Sequence, residues 1–212
     1  TFFVTFSSAV GFVLGSRTGG VNLVALLNTV IATALIAGGA AALNQYLERS
    51  EDARMRRTEG RPLPSGRMLS GQASVFGVAL SAIGLVYMGV TLNWVASGLG
   101  GLTSLIYLFA YTPLKQRTSF NTAVGAVAGA LPPVGGWAAA SGWPSTGAWI
   151  LFAVVFFWQI PHFFAIAWIY RDDYARGGYH MVPVSDAGGS RTAAQIGLCS
   201  VALLVVSMLP CL

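Results

Sequence analysis

Asn44, Glu48 and Asp52 stand four residues apart at the end of a long apolar run. On a continuous helix this spacing keeps all three on one face, drifting by about 40° per step. Two carboxylates and an amide then converge on one point. Oxygen donors offered one at a time suit Mg2+, which keeps several waters and completes its shell from substrate phosphates. Arg54, Arg56, Arg57, Thr58 and Arg61 follow directly, and Pro62 and Pro64 end the helix and fold the segment back. Forked guanidinium donors match the oxygens of a diphosphate. The same spacing also fits an exposed helix end, solvated by acid and base pairs four residues apart.

Two further stretches carry polar chemistry. The segment YTPLKQRTSFN holds Tyr111, Lys115, Arg117, Thr118 and Asn121, and WIYRDDYARGGYHMVP holds Asp172, Asp173 and His180. Asp172 and Asp173 fall near the C-terminal end of a predicted helix, where the macrodipole disfavours anions by a few tenths to ~1 kcal/mol. Either a bound cation or pairing with Arg171 or Arg176 would offset that cost.

The elements that position these residues follow from composition. With 55% hydrophobic and only 9% charged residues in 212, the chain has too few polar side chains to cover a water-soluble globule. Apolar runs long enough to cross a ~30 Å hydrocarbon core recur, and the short alternation of a membrane barrel is absent. The reading is all-α, a polytopic transmembrane helix bundle with seven spans, at about 1–16, 21–43, 72–91, 94–112, 120–140, 147–169 and 193–210. Gly98, Gly100 and Gly101, and Gly125 and Gly129, offer faces for close helix approach. Pro132 and Pro133 predict a kink in the fifth span.

The connections at 44–71, 113–119 and 170–192 hold every Lys and Arg except Arg17, and all seven acidic residues. By the positive-inside tendency this is the cytoplasmic side, or the matrix side of a mitochondrion. That tendency concerns Lys and Arg, so acids gathered on the basic face need a second cause. The net charge of +5 sits in short loops between spans, an arrangement that argues against a nucleic-acid partner and for a lipid bilayer. Cys199 and Cys211 share the last apolar run, without the spacing of a disulfide framework or zinc site.

Taken together, N44-x3-E48-x3-D52-x2-M55-x-R57-T58-x2-R61-P62, then Y111-T112-x2-K115-x-R117-T118-x2-N121, then FFWQIPHFFAIAWIYRDDYARGGYHMVPV resemble the intramembrane, UbiA-type prenyltransferases. The WQxPHF and DYxxGGxxMxPV stretches point to the branch that farnesylates haem. The resemblance covers essentially the whole chain as one transmembrane domain, 1–212, and implies a nine-span fold, so that the chain reads as lacking a piece at both ends. It implies catalysis at Asn44, Glu48 and Asp52, which would hold diphosphate through the cofactor Mg2+. Arg57, Arg61, Lys115, Arg117 and Asn121 would bind the diphosphate, and Asp172 and Asp173 would be further metal candidates. The implied substrates are farnesyl diphosphate and haem B, whose vinyl group is alkylated with water supplying a new hydroxyl. Partnership with haem A synthase or oxidase assembly factors is implied as well. The implied location is a bacterial plasma membrane, or alternatively a mitochondrial inner membrane. Glu48 stands where many relatives have Asp, and the paired aspartates four apart of the family's second motif are absent, since Arg176 lies four residues after Asp172.

His162, inside the sixth span, and His180, in the connection after it, are the haem-ligand candidates. Both also read as ordinary residues, one hydrogen-bonded to a neighbouring helix and one in a loop. Phe156, Phe157, Trp158, Phe163, Phe164, Trp168 and Tyr170 offer ring faces to a carbocation, although most such rings in a span face lipid or its interface. A sister enzyme acting on a quinone precursor or a chlorophyll-type tetrapyrrole is the nearest alternative. A transporter is the alternative from another class, but it would place charges near mid-membrane.

Overall fold

Six helices are long and apolar enough to cross a membrane, and they form a multi-pass bundle in the computed structural model, which describes residues 1–16 and 20–211. Arg17 lies outside the described residues, as does the side chain of Cys211. The spans are α2 (Leu23–Leu47), α3 (Ser70–Thr91), α4 (Trp94–Leu114), α5 (Asn121–Ser141), α6 (Thr146–Ile169) and α7 (Ser190–Met208). A shorter apolar helix, α1 (Phe2–Gly15), precedes them and has 14 residues. No strand occurs among the described residues. Large apolar side chains such as Val75, Val90, Phe109 and Leu198 are exposed on the outside of the bundle, as lipid-facing residues of a membrane protein are.

The helices are not equally enclosed. In α5, 72% of the span is buried, against 6% in α7. Around α5 stand α1, α4 and α6, while α2 packs along α3 and α7 along α6. Small residues make the tightest crossings. A Cβ at Gly11 would lie 2.0 Å from the Pro133 carbonyl oxygen, and one at Gly136 would lie 1.9 Å from that of Ser8, so α1 and α5 meet backbone to backbone. Gly39 and Gly77 do the same for α2 and α3. The expected Gly98, Gly100 and Gly101 face is not of this kind: a Cβ at Gly98 meets nothing, and those at the other two reach only side-chain atoms at 3.1 Å or beyond. Gly125 and Gly129 are tight, but against the Tyr111 ring and the Gln159 amide. The helix α5 runs unbroken through Pro132 and Pro133 and stops at Gly142, whose φ of +84° provides the left-handed cap.

The last part of α4 departs from regular winding. Ile106–Tyr111 is π-helical, and the Thr112 N–H bonds the Tyr107 carbonyl five residues back. A π-turn widens the helix and re-aims the side chains it carries. Here it stacks Tyr107 and Tyr111, with centroids 5.7 Å apart, on the side facing the bundle interior.

Candidate functional site

The end of α2 carries the expected face. Regular α winding lapses at Glu48, with φ −97° and ψ 14°, yet the hydrogen-bond ladder continues. Glu48 N–H donates to the Asn44 carbonyl at 2.9 Å and Asp52 N–H to the Glu48 carbonyl at 2.8 Å. Asn44, Glu48 and Asp52 therefore stay one turn apart, and all three are buried, Asp52 to 1% exposure. A merely solvated helix end would have left these side chains in water.

Three side chains at the end of α4 and just beyond it lock onto this face. Asn44 Nδ2 donates to Thr112 Oγ1 at 3.0 Å, Lys115 Nζ to Glu48 Oε1 at 2.7 Å, and Gln116 Nε2 to the buried Glu51 Oε1 at 2.7 Å. Asp52 is held from its own segment: Arg61 Nη1 reaches both carboxylate oxygens, at 2.9 and 2.7 Å, and Thr58 Oγ1 donates to the Asp52 carbonyl at 2.9 Å. Buried carboxylates need such partners, because an unpaired charge out of water costs several kcal/mol. Burial would pull the Lys115 ammonium down, but Tyr111 and Glu48 beside it outweigh that and hold its pKa above the usual lysine value.

The oxygen donors fit a hard divalent cation. Asn44 Oδ1 accepts no hydrogen bond among the described residues, and Glu48 and Asp52 add two carboxylates on the same helical face. No cluster of three or more Asp, Glu, His or Cys occurs among the described residues. Asn44, Glu48 and Asp52 would offer three ligands at most, which suits a metal that takes the rest of its shell from phosphate and water.

Directly beneath the charges opens an apolar cavity of about 380 Å³. Lys115 and Tyr111 stand at its polar end, and it continues past Tyr107, Ala40 and Ile36 to Met88. The Lys115 ammonium sits 4.5 Å from the Tyr111 ring centroid, so one residue joins the carboxylates to the cavity. Of the seven aromatic residues expected to face a cation, only Phe163 lines this space. Trp158, Trp168 and Tyr170 are exposed on the outside of the bundle. Tyr107, Tyr111 and Phe3 supply the rings instead, and the first two face inward because of a π-turn that composition does not announce.

The third connection closes over the first. Asp173 accepts the backbone N–H groups of Arg56 at 3.2 Å and Arg57 at 3.1 Å, and pairs with Arg176. Burial would raise its carboxyl, but those two amides and the Arg176 guanidinium hold it below the usual carboxylate value. Both aspartates fall in the first turn of a separate short helix, Arg171–Arg176, and not at the C-terminal end of α6 as expected; Asp173 pairs with arginine and also clamps backbone. Asp172 is exposed and stands 3.8 Å from Arg171. Neither is brought to the Asn44, Glu48 and Asp52 face. Arg57 is drawn to this connection too, donating to the Tyr174 hydroxyl at 3.3 Å and lying over the rings of Tyr170 and Tyr174.

The remaining candidates fall in different places. Asn121 is fully buried, and its amide donates to the carbonyls of Thr118 and His180, so it braces two connections. Arg117 is exposed. His162 is exposed on α6, stacked on Trp158 at 4.9 Å, and does not line the cavity. The His180 side chain is also exposed, while its N–H donates to the Lys115 carbonyl at 2.7 Å. Sequence spacing did not single out Tyr107, Glu51 or Tyr179, since none belongs to a repeat of like residues.

The UbiA prenyltransferase family profile matches residues 4–212. The chain is 52% identical over 192 residues to a protoheme IX farnesyltransferase of Solibacter usitatus, covering 91% of this chain and 66% of that one. It is 42% identical to a protoheme IX farnesyltransferase of Koribacter versatilis, covering 99% of this chain and 68% of that one. It thus spans about two thirds of the length of these relatives. Among solved structures, the apo form of a UbiA homolog from Aeropyrum pernix K1 superposes with a TM-score of 0.80 at 23% identity, covering 96% of this chain and 75% of that one. A UbiA homolog from Archaeoglobus fulgidus bound to GPP and Mg2+ superposes with a TM-score of 0.73 at 15% identity, covering 97% and 72%. At these identities the likeness is one of fold.

Proposed function

The chain belongs to the UbiA prenyltransferase family, and from that premise we propose that it transfers the farnesyl group of farnesyl diphosphate to a vinyl group of haem B. The observation that carries this is the junction at Lys115, where a buried cluster of carboxylates and cations meets a deep apolar cavity. The substrate has the same two halves, a diphosphate and a hydrocarbon chain. The cavity lies within the ~300–1,000 Å³ typical of small-molecule sites. The names of the relatives favour haem as the acceptor.

In this proposal Asn44, Glu48 and Asp52 would hold Mg2+, which would supply positive charge to the diphosphate; Asp172 and Asp173 are not part of that set. Lys115 and Arg61 are long side chains now engaged with carboxylates, and they turn to diphosphate oxygens when substrate enters. The C–O bond breaks heterolytically, and both electrons leave on the diphosphate. Preorganised positive charge at that position is the electrostatic form of catalysis. Tyr107 and Tyr111 present ring faces to the allylic cation in a largely apolar cavity. The vinyl π electrons form the new C–C bond, and water captures the resulting cation with loss of a proton. The site faces the cytoplasm, or the matrix in a mitochondrion, as the distribution of Lys and Arg implies.

The test supplies haem B, farnesyl diphosphate and Mg2+ to membranes carrying the protein and separates the haems by chromatography. A more hydrophobic haem is expected. No new haem, together with prenylation of 4-hydroxybenzoate, would assign the acceptor to the quinone branch instead.

A further inference from the structure

We infer that Tyr179 is a further diphosphate-contacting residue, its phenol donating a hydrogen bond to an oxygen of the leaving group beside Lys115. The inference rests on the diphosphate reading above. Tyr179 is only 4% exposed, and its hydroxyl is buried without a hydrogen bond of normal geometry. Folded proteins leave few buried polar groups in that state, because the lost hydration is not recovered. The two other such hydroxyls among the described residues, on Ser81 and Ser145, sit at the α2 and α3 seam and at the start of α6. Only that of Tyr179 stands among the charges of the site. The Lys115 ammonium, paired with Glu48, is 5.5 Å from its ring centroid.

The local chain is built to hold it there. Gly178 takes φ +75°, a left-handed conformation that turns the chain, and the Tyr179 N–H donates back to the Tyr174 carbonyl at 2.9 Å. The next residue is bonded on both sides: His180 N–H to the Lys115 carbonyl at 2.7 Å, and the His180 carbonyl from Asn121 Nδ2 at 2.8 Å. The ring is wedged in a small apolar cluster with Met55, Ala167 and Met181. The hydroxyl is thus carried on a segment whose backbone is tied directly to the backbone of Lys115. Burial, and then the Glu48 charge, push its pKa above the usual phenol value. A phenol is in any case protonated at neutral pH, its ordinary pKa being about 10, and so it is available as a donor. As the C–O bond breaks and its electron pair moves onto the diphosphate, Tyr179 shares its proton in the hydrogen bond and keeps it.

Tyr179→Phe tests this, because it removes the hydroxyl and leaves the ring in its cluster. Three readouts are taken in detergent: thermal unfolding, calorimetric binding of inorganic pyrophosphate with Mg2+, and prenyl transfer. The variant is expected to unfold at the same temperature or higher, to bind pyrophosphate about tenfold more weakly and to turn over about ten- to a hundredfold more slowly. Unchanged pyrophosphate affinity would overturn the inference whatever happens to turnover. A clear fall in unfolding temperature would overturn it as well, since the hydroxyl would then be satisfied within the fold, on Glu48. Unmodified protein that binds pyrophosphate but forms no farnesylated haem would refute the acceptor and leave Tyr179 standing. Unmodified protein that binds no pyrophosphate would remove the diphosphate site and the role of Tyr179 with it.

Discussion

Glu48 and Asp52, at the end of α2, and Asp173, in the connection after α6, are buried carboxylates at the same end of the bundle, but they are held by different kinds of donor. Lys115 and Arg61 hold the first two through long, rotatable side chains. Asp173 is held chiefly by two peptide N–H groups, which cannot leave without moving the chain that carries them. A carboxylate whose partner can swing away is available to a metal and a diphosphate. One that is bonded to backbone is committed to the fold. Under the proposed function, the pairs divide the acidic residues of one face into a reactive set and a structural clamp, a division that residue type alone does not make.

The largest expected effect breaks the reactive set. Asp52→Ala should lower turnover by at least ~10³-fold while the protein remains inserted in the membrane, because it removes a metal ligand and frees Arg61. Near-normal turnover would exclude Asp52 from the metal site and erase the distinction. Next comes the Lys115 to Glu48 pair. Lys115→Met should cost about 3–5 kcal/mol by leaving the Glu48 carboxylate buried and unpaired, and should reduce turnover ~10²- to 10³-fold. Adding Glu48→Gln should restore most of the stability and none of the turnover. If the double variant recovers turnover, the pair is a structural tie like Asp173.

The smallest effect belongs to the clamp. Asp173→Asn should lower the unfolding temperature and reduce turnover less than tenfold, without shifting the Mg2+ concentration that gives half activity. Asp172→Asn should do neither, and a changed Mg2+ midpoint in either variant would return these aspartates to the metal site. The pH dependence carries a definite sign. The Asp173 pKa is depressed in the fold, so its stabilisation is present above the usual carboxylate pKa of ~4 and is lost as pH falls through its lower folded value. The stability gap between the native chain and Asp173→Asn should therefore be constant at neutral pH and narrow in acid.

Much of the fold was legible because lipid imposes strict rules. Backbone groups must be satisfied within a helix, so apolar length alone marks a span, and each of the six long spans falls where an apolar run predicted one. The Asn44, Glu48 and Asp52 face was legible for a similar reason: spacing by four is a local property that survives wherever the helix survives. Crossing points were less so. Gly98 resembles Gly11 in sequence, but only Gly11 faces a carbonyl of another helix. Arg57 and Asn121 looked like free donors to a diphosphate, and the fold gives both to neighbouring connections.

By itself, then, the sequence determined a bundle of membrane-spanning helices, one charged face, and an oxygen-bearing helical edge on that face, because these depend on hydropathy, charge and periodicity along one chain. Only the tertiary structure decided which carboxylates meet side chains and which meet backbone, that a π-turn points Tyr107 and Tyr111 into a cavity, and that Tyr179 comes to rest beside Lys115. Those are contacts between segments far apart in the chain. They are set by how the helices pack and the connections fold over them, and no spacing within a single segment encodes them.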